Sequence, residues 1–141
     1  MIARILAVVV ALLGLPGPLG QQLDDEVSRL AIHRVIQNQL EAFRRDDGPA
    51  ALDQTAPAVR QNFPSADEFL DTVRQAYPAV YRQRDARFGE LKPTHIGLTQ
   101  YVTLTKFDGE VWNALYVVAK QTDGNWKITG FYTFRLSETA I

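Results

Sequence analysis

The order of residue patterns predicts an α+β domain, with N-terminal helices packed on a curved antiparallel sheet of three or four strands. Three observations carry this. Apolar residues recur at three- and four-residue spacing between Val27 and Phe43. β-Branched and aromatic residues crowd the chain after Tyr101, and two Asp-Gly pairs punctuate that region. A helical period followed by strand-like runs separated by turn residues is the pattern of helices first and an antiparallel meander second.

The first twenty residues stand apart from this domain. Arg4 precedes the apolar run Ile5 to Leu13, and Gly14-Leu15-Pro16-Gly17-Pro18-Leu19-Gly20 then breaks any helix. A basic start, a short apolar core and a small-residue exit read as a secretory signal peptide over residues 1–20, cut after Gly20. The apolar run is too short for a bilayer core, which needs about 20 residues. Pro18 departs from the small side chain that the exit signal prefers two residues before the cut. Residues 21–141 then form one domain, with the periplasm as the expected location.

The long helix opens at Asp24-Asp25-Glu26, where a capping side chain and first-turn acids suit the helix dipole. Val27, Leu30, Ala31, Ile32, Val35, Ile36, Leu40 and Phe43 form one stripe, expected to be buried. Asp46-Asp47-Gly48-Pro49 ends the helix. Pro49 to Gln54 and Pro57 to Asn62 suit short helical turns. Ser65-x-x-Glu68 is a capping box ahead of Phe69, Leu70, Val73 and Tyr77, and Pro78 ends or bends that helix.

Arg87 to Leu91 is the expected first strand and Tyr101 to Thr105 the second. Asp108-Gly109 predicts a two-residue hairpin into Val111 to Ala119, and Asp123-Gly124 lies in the loop before Trp126 to Leu136. In that last strand Trp126, Ile128, Tyr132 and Phe134 alternate with Lys127, Thr129, Thr133 and Arg135, which predicts one apolar face and one polar face. Gly130 falls on the apolar side as a candidate bulge.

Several fixed spacings resemble a bacterial exported family known as domain of unknown function 4864. They are Val35-Ile36-x-x-Gln39-Leu40-x-Ala42-Phe43-x-x-Asp46-Asp47, then Ala56-Pro57, Phe63, Phe69 and Val73. Tyr77-Pro78-x-Val80-Tyr81 and Asp123-Gly124-x-Trp126-x-Ile128-x-Gly130 complete the set. Pro64 and Ala76 stand where the family pattern favours Gly. The helix ending in Asp46-Asp47 and the Gly-x-Trp-x-Ile closure are also similar to the nuclear transport factor 2-like superfamily. That likeness implies a cone of helices and curved sheet with a pocket between them, and no particular activity.

Composition narrows the function classes. Fifteen basic residues face sixteen acidic ones, and Arg4 is the leader's single charge, so the domain carries −2. Near-neutral charge gives no electrostatic basis for binding nucleic acid or anionic membrane. Arg82, Arg84 and Arg87 are interrupted by Asp85 and followed by Glu90, as at a solvated strand entrance. The chain has no cysteine, which removes disulfides and thiol catalysis. His33 and His95 lie far apart, so no metal site is expected. No catalytic set and no cofactor fingerprint stand out. Ser28, Ser65 and Ser137 sit in no nucleophile-elbow context, and the acids near the strands fall at turns.

The strands and helix ends do carry aromatic residues. Tyr77, Tyr81, Gln100, Trp112, Tyr116 and Tyr132 are the candidate pocket residues for a small apolar or amphipathic ligand. A non-catalytic module that binds such a ligand, or an envelope protein, through the cone or the sheet face is the expected function. A homodimer through the sheet is the expected form of self-association. The alternative is an isomerase- or dehydratase-type enzyme with acid–base residues inside the cone.

Overall fold

The computed structural model describes residues 18–136. The leader read over residues 1–20 therefore lies outside the described residues, apart from Pro18–Gly20. Helix α1 spans Pro18–Arg44, α2 Gly48–Asp53, α3 Pro57–Arg60, α4 Ala66–Ala76 and α5 Pro78–Tyr81. Strands β1 (Gln83–Thr94), β2 (Gly97–Lys106), β3 (Val111–Lys120) and β4 (Trp126–Arg135) follow. They form one antiparallel sheet in the order β1-β2-β3-β4, the meander expected from the sequence.

The chain divides into two compact units between Leu30 and Ala31. In the first unit Leu19, Leu23, Val27 and Leu30 recur along the helix, and all are more than half exposed. This corrects two expectations. The helix begins at Pro18 rather than at the acids, because Pro is tolerated in a first turn and residues 19–23 suit a helix. The buried stripe begins later than its periodicity suggests. Periodicity says which side chains share a face, not how many of them are covered.

In the second unit Ile32, Ile36, Leu40 and Phe43 are buried together with Phe69, Leu70, Val73 and Val80 from the short helices. Val102, Leu104, Ala114, Tyr116, Val118 and Ile128 supply the sheet side of this core. Helix α1 ends in a Schellman motif. The Asp47 N–H donates to the Ala42 carbonyl at 2.8 Å and the Asp46 N–H to Phe43 at 3.1 Å. Asp46 holds the left-handed position at φ 54° that Gly usually takes. Its carboxylate accepts the Tyr81 hydroxyl proton, and Arg74 donates to that hydroxyl at 2.9 Å. Asp47 caps the next helix by accepting the Ala50 N–H at 3.1 Å. The paired acids thus tie the end of α1 to α2 and to the buried Tyr81 ring.

Two Asp-Gly turns have the same construction, and it differs from a two-residue hairpin. Gly109 and Gly124 both sit at φ 88°. The Gly109 N–H donates back to Lys106 and the Gly124 N–H to Gln121, which leaves three-residue loops. A type I turn followed by a left-handed glycine explains them. The Asp108 carboxylate accepts the Glu110 N–H, and Asp123 accepts the Asn125 N–H, each at 2.9 Å.

Strand β1 runs well beyond Arg87 to Leu91 because two irregularities interrupt its pattern. Extra residues fall between Gln83 and Asp85 and between Phe88 and Leu91, relative to β2. A third bulge lies in β4, where Ile128 pairs with Val118 and Gly130 with Val117, leaving Thr129 as the extra residue. A one-residue slip moves every later side chain to the opposite face. Ile128 is buried and Phe131 joins the core side, whereas Tyr132 and Phe134 are 55% and 48% exposed. The strictly alternating apolar face expected for Trp126 to Phe134 is therefore broken in the middle. The outer edge of β4 is partly covered: Ile128 donates to Gln54 at 2.9 Å, and the Ala56 N–H donates to Ile128 at 2.8 Å.

Two predictions follow from these contacts. Asp46→Ala keeps the left-handed backbone without the Tyr81 bond and is expected to lose about 2 kcal/mol in urea unfolding. Asp46→Gly relaxes the backbone and is expected to lose less than Asp46→Ala. In a double-mutant cycle, Asp46→Ala and Tyr81→Phe should be clearly non-additive; additivity would show that the bond is unimportant. The second concerns pH. The Glu110 N–H holds the Asp108 carboxyl below its usual range, and the Asn125 N–H does the same for Asp123. Depressed folded-state values stabilise above the ordinary carboxylate range, and that contribution is lost as pH falls through them. The melting temperature should thus fall between about pH 5 and pH 3, and less so in the Asp108→Asn, Asp123→Asn double variant.

Candidate functional site

An apolar groove of about 250 Å³ opens among α3, α4 and β4. Each wall follows from local sequence. Pro57 starts α3 and presents Val59, and Phe63 follows in the next turn. The Ser65 cap, which accepts the Glu68 N–H at 3.2 Å, starts α4. That helix brings Phe69, Thr72 and Val73 to one side of the groove. Tyr77 ends α4 because Pro78 restarts the helix as α5. From β4 come Ile128, Gly130, Phe131 and Tyr132, with Thr55 on the segment bridged to that strand.

The groove is aromatic. Phe63 and Phe69 meet edge to face at 5.0 Å, and Tyr77 and Phe131 do the same at 4.8 Å. Its hydroxyl groups are few. Thr55 Oγ1 donates to the Leu52 carbonyl at 2.6 Å and Thr72 Oγ1 to Glu68 at 2.9 Å. No charged side chain and no histidine is among the lining residues.

Of the six candidate residues, Tyr77 and Tyr132 border the groove, Tyr77 with its ring and Tyr132 along the strand, its ring lying on the outer face of the sheet. The other four lie elsewhere. Tyr81 is buried, with its hydroxyl held between Asp46 and Arg74 and guanidinium groups of Arg74 and Arg82 near its ring. Burial raises the Tyr81 phenol above its ordinary range, and the Asp46 bond adds to this.

Gln100 is fully buried and serves the β1 bulge. Its Nε2 donates toward the carbonyls of Gly89 at 3.0 Å, Glu90 at 3.2 Å and Tyr101 at 2.9 Å. Trp112 pairs with Arg135 at the far end of the sheet and directs its indole N–H to Glu110. Tyr116 is fully buried beside Phe131, ring centroids 5.6 Å apart, so it stands behind the groove wall. Its hydroxyl has no hydrogen-bond partner, and burial pushes its pKa far above the usual phenol range.

Reading the sequence alone misses Phe63, Phe69, Val73 and Phe131 as lining residues. The first three carry the family resemblance, but nothing local says that they converge. Phe131 becomes legible once the Gly130 signal is taken as a bulge and the alternation is reset past it.

A second groove of about 260 Å³ lies between Gln37, Leu40, Glu41 and Arg44 of α1 and Arg84, Asp85, Ala86 and Phe88 of β1. It carries both signs of charge, and Arg44 is bonded to the side chain and carbonyl of Gln83. It is therefore a poor anion site. Among the described residues, no three His, Cys, Asp or Glu side chains form a group able to hold a metal ion.

These placements give two expected outcomes. Gln100→Leu should cost about 1–3 kcal/mol in chemical unfolding, because it leaves the bulge carbonyls without their donor. Tyr116→Phe removes an unpartnered buried hydroxyl and should be neutral or stabilising by up to about 1 kcal/mol. A loss of more than about 1 kcal/mol in Tyr116→Phe would mean that the hydroxyl is satisfied in solution.

No curated protein and no solved structure matches the chain. A family match does place it: the model described as Domain of unknown function (DUF4864) covers residues 25–141, and the chain belongs to that family.

Proposed function

We propose that this protein is an exported, non-catalytic module that binds a small apolar or amphipathic ligand in the groove between α3, α4 and β4. The observation that carries the proposal is the lining itself: aromatic and aliphatic side chains from three separate segments around one space of about 250 Å³. Pockets of this kind take up ligands by removing apolar surface from water, with a few polar groups fixing orientation. Tyr77 supplies the phenol for that purpose. The helices on an antiparallel meander support a place in the nuclear transport factor 2-like superfamily.

Export to the periplasm rests on the residue order of the leader: Arg4, the apolar run to Leu13 and the Gly- and Pro-rich exit to Gly20. Among the described residues no helix is long and apolar enough to cross a membrane. Self-association through the outer face of the sheet is part of the same proposal, supported by the exposed rings of Tyr132 and Phe134. The isomerase- or dehydratase-type alternative needs an acid or base inside the cavity. The groove offers no carboxylate or imidazole for that step.

The binding reading is tested by thermal-shift screening of the purified protein against envelope lipids and small metabolites. Thr72→Trp serves as control, since Thr72 is an exposed helix residue on the groove wall. A ligand-dependent rise in melting temperature that this variant abolishes is the expected result. Shifts that persist unchanged in the variant would place binding elsewhere. Mass spectrometry of the exported protein should find Gln21 as its first residue. Sedimentation at two concentrations should detect a dimer that Phe134→Lys weakens.

A further inference from the structure

We infer that the groove selects uncharged planar aromatic molecules of about two fused rings, in preference to acyl chains or anions. The inference rests on the binding proposal and narrows its ligand class.

Three features of the lining point this way. The first is size. A cavity of about 150 Å³ lined by apolar side chains accommodates benzene, so about 250 Å³ suits a bicyclic molecule. The second is ring geometry. Phe63 and Phe69 cross at an interplanar angle of 76°, and Tyr77 and Phe131 at 75°. Each crossed pair sets one ring's electron-rich face at right angles to its neighbour's face. A planar ligand between two such pairs can meet a ring face on one side and ring edges on another. That is the offset and edge-to-face arrangement that aromatic groups prefer, and it adds to the gain from area alone. A flexible acyl chain gains no such term and loses rotamer freedom on binding.

The third feature is charge. The lining residues are Thr, Val, Phe, Tyr, Ile and Gly, with no cation to meet a carboxylate or phosphate. Taking an anion into such a space without a partner is strongly unfavourable. The hydroxyl protons of Thr55 and Thr72 already go to backbone carbonyls, so the phenol of Tyr77 is the polar group at hand. A single ring hydroxyl or amine on the ligand matches it. The groove around α1 and β1 is of similar size but differs in charge, being walled by Glu41, Arg44, Arg84 and Asp85.

The test compares three probes on the purified protein at neutral pH. They are 2-naphthol, its anionic shape analogue 2-naphthoate, and 1-decanol as an acyl-chain mimic. Ligand-observed NMR and thermal shift give the affinities. The expected result is a 2-naphthol dissociation constant on the order of 100 µM, with both other probes at least about tenfold weaker. Thr72→Trp should weaken 2-naphthol about tenfold or more by filling the groove. Tyr77→Leu, which removes one crossed pair, should shrink the preference for 2-naphthol over 1-decanol. Circular dichroism checks that both variants are folded.

Equal or tighter binding of 1-decanol, or tight binding of 2-naphthoate, overturns the inference and leaves the binding proposal standing. Binding of 2-naphthol that neither variant changes also overturns it, by placing the site outside the groove. If no probe binds and the wider screen gives no shift, the binding proposal itself fails.

Discussion

The extra residue in β4 sets what the sheet presents on each side. Up to Ile128 the strand turns its apolar side chains toward the helices, and Thr129 then takes a position that has no counterpart on β3. Past it the phase is inverted. Phe131 now faces inward against Tyr116, and Tyr132 and Phe134 face outward. Without the inversion, Tyr132 would take the core side and Phe131 would turn to solvent. Phe131 would then stand neither beside Tyr77 nor in front of Tyr116, and the groove would lose a wall. The two irregularities in β1 act on the opposite edge. Each extra residue increases local twist and bends its strand, so the three irregularities shape the sheet that the second half of α1 covers.

Bulges and helix ends leave backbone carbonyls without ladder partners, and buried glutamines meet that need. Gln100 Nε2 serves the carbonyls of the β1 bulge. Gln83 Nε2 donates to the Leu40 carbonyl at 3.0 Å, tying the start of β1 to α1. Gln39 Nε2 donates to the Ala51 carbonyl at 3.0 Å, tying α1 to α2. All three are fully buried. The Ala51 carbonyl also accepts the Gln54 N–H at 3.3 Å, so Gln39 reinforces that helix end. The Gln100 amide instead supplies a donor to carbonyls at the bulge, where an orphaned carbonyl costs about 1–3 kcal/mol. The amide oxygens of Gln39 and Gln100 are themselves unpartnered, which places these side chains by their donor ends.

What the sequence made legible was mostly what is local. The Ser65 cap, the break at Pro78, the helix end at Asp46-Asp47 and both Asp-Gly turns each depend on a few consecutive residues, and all appear in the structure. The order of helices and strands followed from period alone. What stayed hidden depends on partners distant in the chain. Val27 and Leu30 share the period of Ile32 and Ile36 but not their burial. Gln100 looked like a pocket residue because a polar group in a strand is ambiguous until its partner is known, and its partner is a bulge eleven residues earlier. The groove combines residues 55–77 with 128–132, and no single window of sequence contains that combination. Tyr77 was readable because it sits at a helix break, and Phe63 was not because nothing marks it locally.

The distribution of polar atoms also bears on chemistry. Catalysis by proton transfer needs a titratable group whose free end faces the substrate. In the core of this domain the buried polar side chains turn their donors toward the main chain, and Tyr81 is held by Asp46 and Arg74 at the end of α1. Tyr116 carries an unpartnered hydroxyl but stands behind Phe131 rather than among the lining residues. Interior polarity has gone into holding an irregular backbone. The surface left to the groove is therefore carbon-rich, with crossed aromatic pairs as its main directional feature. That directional feature is what the proposed preference for planar aromatic ligands rests on.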